Sequence, residues 1–352
     1  MEQLKNEAID LLIKLIKTPS LSGEEDGTAE IITNYLKGKG IPFGTIKNNI
    51  IIKNKYFETE KKTILLNSHH DTVKPNASWV SDPFGAMITG EKIVGLGSND
   101  AGGSLVSLLA TFLHFYKNEM DYNLVLIMSA EEENFGPNGI KKVLQEIDFP
   151  IELAIVGEPT EMKMAIAEKG LLVLDGLAKG KSGHAARPNN HNAIDIALRD
   201  IQKITKYQFA ETSEILGPVV KSVTQINAGY QHNIIPDECQ FVVDVRVNEH
   251  YKLQEVFEIL QDQCISTLTA RSFNNSSSGI AEDNWIVEAG KKLGIETFGS
   301  VTLSDQSNLS CNSIKIGPGD SNRSHQAEEY ILISEIEEGI EIYINLLKNV
   351  VI

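Results

Sequence analysis

The sequence predicts a mixed α/β protein into which a smaller α+β domain is inserted. Three observations carry this. First, short apolar runs bounded by polar residues recur at Thr63 to Ser68 (TILLNS), Leu124 to Ala130 (LVLIMSA) and Leu153 to Gly157 (LAIVG), with helical patterns between them. Runs of that length are buried strands of an α/β sheet. Second, from about Gly170 the order becomes strand, helix, two strands, helix, strand, that of a ferredoxin-like sandwich. Third, a polar, Ser- and Asn-rich stretch at 272–279 (SFNNSSSG) reads as a return linker, after which the first kind of pattern resumes. The predicted division is residues 1–168 and 280–352 for the larger domain and 169–279 for the insertion.

Taken in order, residues 2–17 and 23–39 carry the three-to-four spacing of amphipathic helices, the second opened by Ser22 with acids in its first turn. The chain after Asp100, AGGSLVSLLATFLHFYK, is a helix packed on the sheet. In the insertion, GLLVLDGLA is a strand and HNAIDIALRDIQKITKYQ a helix. SVTQINA and QFVVDVRV are two more strands, followed by a helix near 252–262 and a last strand near 267–272. A capping box of Ser334 and Glu337 opens the final helix.

Composition excludes several functions. The chain has 352 residues, room for two domains, and ordinary hydrophobic (41%) and charged (23%) fractions. A net charge of −16, with no basic patch against 48 acidic residues, argues against nucleic-acid binding. The cysteines, Cys239, Cys264 and Cys311, have no CxxC spacing and read as free thiols in a reducing compartment. The acids in MEQLKNEAIDLLIKLIK make it an amphipathic helix rather than a signal sequence, and no run of about 18 apolar residues exists. The expected location is cytoplasmic. With no GxSxG and no nucleophilic cysteine motif, covalent catalysis is disfavoured.

Five short segments each offer a metal ligand: His69 in SHHD, Asp100 in GSND, Glu133 in EEE, Glu158 in VGEPT and His325 in SH. The set suits two divalent ions sharing a carboxylate, which is hydrolytic machinery. His69, Glu133 and Glu158 follow immediately after predicted strands, the edge at which open α/β sheets bind ligands. Asp71, two residues after His69, can accept from the ring nitrogen not facing a metal; His70 is structural. Asp100 follows a Gly-rich turn whose glycines would let backbone approach the ions, though it could equally be an N-cap. Of Glu131, Glu132 and Glu133, one would bind metal and one stay free as general base, in an order the residues alone leave open. His184, beside Gly183 and ahead of Arg187-Pro188, lies on an exposed loop of the insertion and could stabilise an oxyanion. Asn233 and Arg246 are candidate contacts for a substrate carboxylate.

With these motifs in order, from SHHDTVKP to GPGDSNRSHQAEEY, the chain resembles the M20 metallopeptidase family, in particular its acetylornithine deacetylase, succinyl-diaminopimelate desuccinylase and N-acyl-lysine deacylase branch. The resemblance implies a zinc-exopeptidase-like catalytic domain with an inserted ferredoxin-like lid. It implies two zinc ions, with cobalt able to substitute: one on His69, Asp100 and Glu158, the other on Asp100, Glu133 and His325, with Asp100 bridging. Glu132 would be the base, Asp71 the supporting aspartate and His184 the lid histidine, in a homodimer joined through the lid. Two positions depart from the family pattern, Glu131 where Asp is common and Gly102 where Lys is frequent, and neither is a ligand. LSDQSNLS (303–310) falls where relatives contact substrate, so Asp305 could meet a cationic side chain. The implied activity is removal of an acetyl or succinyl group from an amino acid, acetylornithine in arginine synthesis first. A peptidase on the same site, or a non-catalytic binding protein, are the alternatives.

Overall fold

A computed structural model describes residues 1–187, 191–348 and 350; Pro188 lies outside them. The chain divides into two compact units, the larger made of Met1–Ile166, Ile280–Phe298 and Ser304–Ile352, the smaller of Ala167–Gly279 and Gly299–Leu303.

The larger unit is built on a mixed sheet in the order Gly44–Ile46, Asn49–Lys53, Asn123–Ser129, Thr63–His69, Leu153–Val156, Asn312–Lys315 and Met164–Glu168. The central strands are parallel, Thr63–His69 pairing on one side with Asn123–Ser129 and on the other with Leu153–Val156. Every residue of Thr63–His69 and Asn123–Ser129 is buried, because both sheet faces are covered. Ile64, Leu66, Leu124 and Leu126 pack on the side of the helices Glu2–Ile16, Gly103–Phe115 and Ile333–Lys348. Leu65, Val125 and Ile127 face the opposite layer with Ile140 and Val143. A strand buried on both sides loses the alternation of polar and apolar residues, so these read in the sequence as continuous apolar runs.

Two expected caps differ. The second helix is Asp26–Lys39 with Glu25 at its N-cap, and the Ser22 hydroxyl instead donates to Asp71 Oδ2 at 2.6 Å. The last helix begins at Ile333, which puts Ser334 inside it; Glu335 rather than Glu337 reaches back, accepting from the Leu332 N–H at 2.8 Å and from both terminal nitrogens of Arg323. Glu337 turns to Lys5 on the first helix.

The smaller unit has the expected order: strand Gly170–Lys179, helix Ala193–Lys206, strands Val220–Ala228 and Glu238–Val247, helix Leu253–Asp262, strand Thr267–Ala270. Its antiparallel sheet places the second strand at one edge, then the third, the first and the fourth, the ferredoxin-like arrangement. One face alternates Leu172, Leu174 and Ala178 with Phe241, Val243 and Val245 against the two helices. Gly176 leaves the space that the Phe241 ring fills; a Cβ there would collide with the ring. Among the described residues no helix is long and apolar enough to cross a membrane, and the three cysteines are free.

Candidate metal centre

Three neighbouring parallel strands deliver the site to one edge. His69 is the last residue of its strand, Glu132 and Glu133 follow Asn123–Ser129, and Glu158 follows Leu153–Val156. Asp100 enters from the turn Ser98–Gly102 that precedes the helix Gly103–Phe115, and His325 from the loop after Ser321–Arg323. The Asp100–Ala101 peptide is cis.

The side chains converge. His69 Nε2 lies 3.3 Å from Asp100 Oδ1, 3.7 Å from Glu158 Oε1 and 3.9 Å from Glu132 Oε2. It is buried and makes no hydrogen bond. His325 Nε2 lies 3.0 Å from Glu133 Oε2 and 3.6 Å from Asp100 Oδ2. The two oxygens of Asp100 thus face two different imidazoles. Donor atoms held about 2.1 Å from a tetrahedral zinc sit about 3.4 Å from one another, so these separations fit cations between the groups. Among the described residues two compact donor sets appear, His69 with Glu132 and Glu158, and His69 with Asp100 and Glu133.

Electrostatics point the same way. Burial pushes Glu132 well above the ordinary carboxylate range against the pull of His69, with Glu158, Asp305 and Glu133 adding to it. Burial raises Glu158 to about 8, Asp100 contributing and His69 opposing. Glu133 is raised by burial and by Asp100, with His325 opposing. Asp100, despite burial, is held below its usual value by His69 and His325. The hydrogen bond to Glu133 lifts His325 to about 9. Burial disfavours the charged form of His69, yet Asp100 and Asp71 raise it well above the ordinary imidazole value. A divalent cation would relieve the carboxylates of this repulsion and occupy the bare His69 nitrogen.

Supporting groups differ in part from expectation. His69 Nδ1 lies 3.1 Å from the backbone carbonyl of Asp71 and 3.4 Å from Asp71 Oδ1. The Asp71 carboxylate accepts from the backbone N–H of Glu132 at Oδ1 and of Glu133 at Oδ2, both at 3.1 Å. It therefore holds the glutamate pair as well as the imidazole, and His69, Ser22 and the Glu133 amide overcome burial to keep it near 2. His70 turns away, its two nitrogens engaged by Thr28 Oγ1 and the Asn48 carbonyl.

The third glutamate does not crowd the site. Glu131 adopts φ 54°, and its carboxylate takes the N–H of Asn138 at 3.0 Å and the Asn138 side-chain amide at 2.8 Å. In the Gly-rich turn, a Cβ on Gly102 would strike the Gly97 carbonyl and Leu12; on the loop before His325, one on Gly317 would strike Ser104 and the Glu158 backbone, so both glycines also allow close packing of segments.

Asp305 is 4% exposed and accepts the Ser129 hydroxyl at 2.6 Å. Burial raises it to about 6 against the pull of Ser129 and His69. Its Oδ2 is thus held by Ser129 within the protein. In the smaller unit, His184 is exposed and its Nδ1 accepts from the Ala186 N–H. Asn233 is exposed and its carbonyl takes the Ala185 N–H. Arg246 forks onto Asp244 at 2.8 and 3.1 Å. Sequence reasoning missed Glu329, which is 2% exposed and whose Oε1 accepts from the backbone N–H groups of Asn99 at 2.8 Å and Asp100 at 3.0 Å. Burial, with Asp100 adding, raises it to about 8 against those amides.

A carboxylate-rich centre with two imidazoles, at the carboxyl edge of such a sheet, defines a metal-dependent hydrolase. The model of Peptidase family M20/M25/M40 matches residues 65–349, and the chain belongs to that family. It is 28% identical to a succinyl-diaminopimelate desuccinylase of Rickettsia bellii over 96% of this chain and 95% of that one. Its fold matches an M20 family metallo-carboxypeptidase from Sulfolobus solfataricus with a TM-score of 0.78 at 19% identity, covering 97% of this chain and 98% of that one. A dinuclear metal-binding M20 peptidase of Bacillus subtilis matches with a TM-score of 0.72 at 16% identity, covering 98% of each.

Proposed function

We propose that the protein hydrolyses the amide of an N-acyl amino acid, releasing acetate or succinate. Carrying most weight is the placement of Glu132: 8% exposed, 3.9 Å from His69 Nε2, anchored through its backbone by Asp71, and with a carboxylate that accepts no side-chain hydrogen bond among the described residues. Two divalent ions, zinc with cobalt as substitute, would polarise the amide carbonyl and acidify the attacking water. His69, Asp100 and Glu158 would hold one, and Asp100, Glu133 and His325 the other. Glu132, its carboxyl lifted by burial well above the ordinary carboxylate range, accepts the proton of the attacking water and delivers it to the leaving amine. Its fixed backbone keeps that carboxylate on one side of the centre. His184 contributes to oxyanion stabilisation from the lid of a homodimer.

The desuccinylase named among the relatives favours an N-succinyl diamino acid as first probe, with acetylornithine, and so a place in arginine synthesis, as the second. Peptidases among the structural matches make dipeptides the third. Hydrolysis of the three classes by metal-loaded protein tests the reading. Turnover of either N-acyl amino acid at least tenfold above any dipeptide supports it, and the reverse order overturns it in favour of a peptidase.

A further inference from the structure

Asp100 must present its two oxygens in two directions, yet it stands in an irregular turn. Its φ of −116° and ψ of 98°, with Ala101 at −117° and 31°, are not helical, so no helical ladder fixes the amides before it. Glu329 supplies what the turn lacks. Its Oε1 takes the Asn99 and Asp100 N–H groups together, and its own carbonyl accepts from Gly95 N–H at 2.9 Å. Glu329 also follows His325 by four residues on one loop. That loop is tied to the same turn a second time: Asn99 donates to the Asp320 carbonyl at 3.1 Å and accepts from the Asp320 N–H at 3.1 Å. The arrangement repeats the one at the other end of the site, where Asp71 takes the successive N–H groups of Glu132 and Glu133.

We propose that Glu329 is a positioning residue for the shared carboxylate, fixing the Asp100 backbone so that its two oxygens face His69 and His325. This rests on the ligand set proposed above. When ionised, a buried carboxylate on two backbone amides makes charge-assisted bonds, roughly twice as strong as neutral ones. Groups that orient a ligand in this way typically change metal affinity about 10- to 100-fold when removed.

The test compares the wild type with Glu329→Ala, Glu329→Gln and the control Glu328→Ala, titrating each metal-stripped protein with zinc by calorimetry. Glu328 makes the same kind of clasp on the Val80 and Ser81 amides, at 2.8 and 2.9 Å; although it follows His325 by three residues, its carboxylate is spent on that stretch of backbone and not on the turn that carries Asp100. The expected outcome is two zinc ions on wild type and on Glu328→Ala at equal affinity. Glu329→Ala should lose at least tenfold in affinity for one ion or both, and Glu329→Gln should lose several-fold, with kcat falling more than KM rises. Should Glu329→Ala not fold, Glu329→Gln decides. Wild-type affinity in whichever variant folds overturns the proposal and leaves Glu329 a structural residue. A wild type that binds fewer than two ions instead overturns the ligand set.

Discussion

Stripping the metals should turn the site into a pH-dependent liability. Burial and neighbouring charge raise Glu158 from 4.5 to about 8 in the folded chain. Between those values the folded chain keeps a proton that the unfolded chain has released. Stability therefore falls as pH rises, by at most about 1.4 kcal/mol per pH unit, reaching ~4–5 kcal/mol near pH 8 for this group alone. Other groups tilt the same way. Glu329 is raised to about 8 and Asp305 to about 6, and each favours the protonated folded chain up to that pH. His325, raised to about 9 by Glu133, contributes stability that is full below its unfolded value and fades toward pH 9, reduced by its partial exposure. Asp71, held near 2, acts only at lower pH.

These groups share one field and do not add. A loss of about 3–5 kcal/mol between pH 5 and 8 is the worked expectation. At about 2 °C per kcal/mol for a chain of this size, that is a fall in Tm of about 5–10 °C. Calorimetric melts of EDTA-treated protein measure it, beside the same protein with excess zinc, whose curve should be nearly flat over that range. Glu158→Gln removes the principal titrating group, so its stripped form should melt higher than stripped wild type at pH 8 and lose much of the slope. A stripped wild type as stable at pH 8 as at pH 5 would refute the reasoning, as would a Glu158→Gln protein with the full slope.

Glu132→Gln should retain both metals with affinity near wild type while turnover falls by about 10²- to 10⁴-fold; zinc calorimetry beside hydrolysis rates reads both, and near-wild-type turnover would remove Glu132 from the mechanism. In the smaller unit, fully buried Asp200 accepts from the Ile265 N–H at 3.0 Å and from the Ser266 N–H and hydroxyl, both at 2.7 Å. Asp200→Ala would leave those donors without a partner and should cost about 2–4 kcal/mol in urea unfolding, with Asp200→Asn milder; a loss under about 0.5 kcal/mol would show that water replaces the carboxylate.

Much of this was legible in the chain itself, for a physical reason. Strands buried on both faces leave continuous apolar runs, so Thr63–His69, Asn123–Ser129 and Leu153–Val156 announce themselves, and the residues just after them fall at the ligand-binding edge. The order of elements in the insertion was equally plain, since amphipathic helices and alternating strands differ in period. Caps were less legible. Ser22 stands three residues ahead of the N-cap Glu25 and its hydroxyl bonds Asp71, while Ser334 is already inside the last helix, because tertiary contacts decide where each helix begins.

The carboxylates show where sequence reading stops. Glu131, Glu132 and Glu133 are chemically equivalent as a string, and what separates them is backbone direction. A positive φ swings Glu131 onto Asn138, while Asp71 grips the next two amides and turns their side chains inward. Glu328 and Glu329 are the same case: one clasps the Val80–Ser81 backbone, the other the turn that carries Asp100. A carboxylate's role in this site is set less by what it is than by which amides it meets. Those amides belong to segments distant in sequence, 61 residues away for Asp71 and 229 for Glu329. Local pattern carries no record of such partners, which is why the candidate ligands stand out at strand ends, and Asp71 beside His69, while the hold of Asp71 on the glutamate amides and of Glu329 on the Asp100 turn does not.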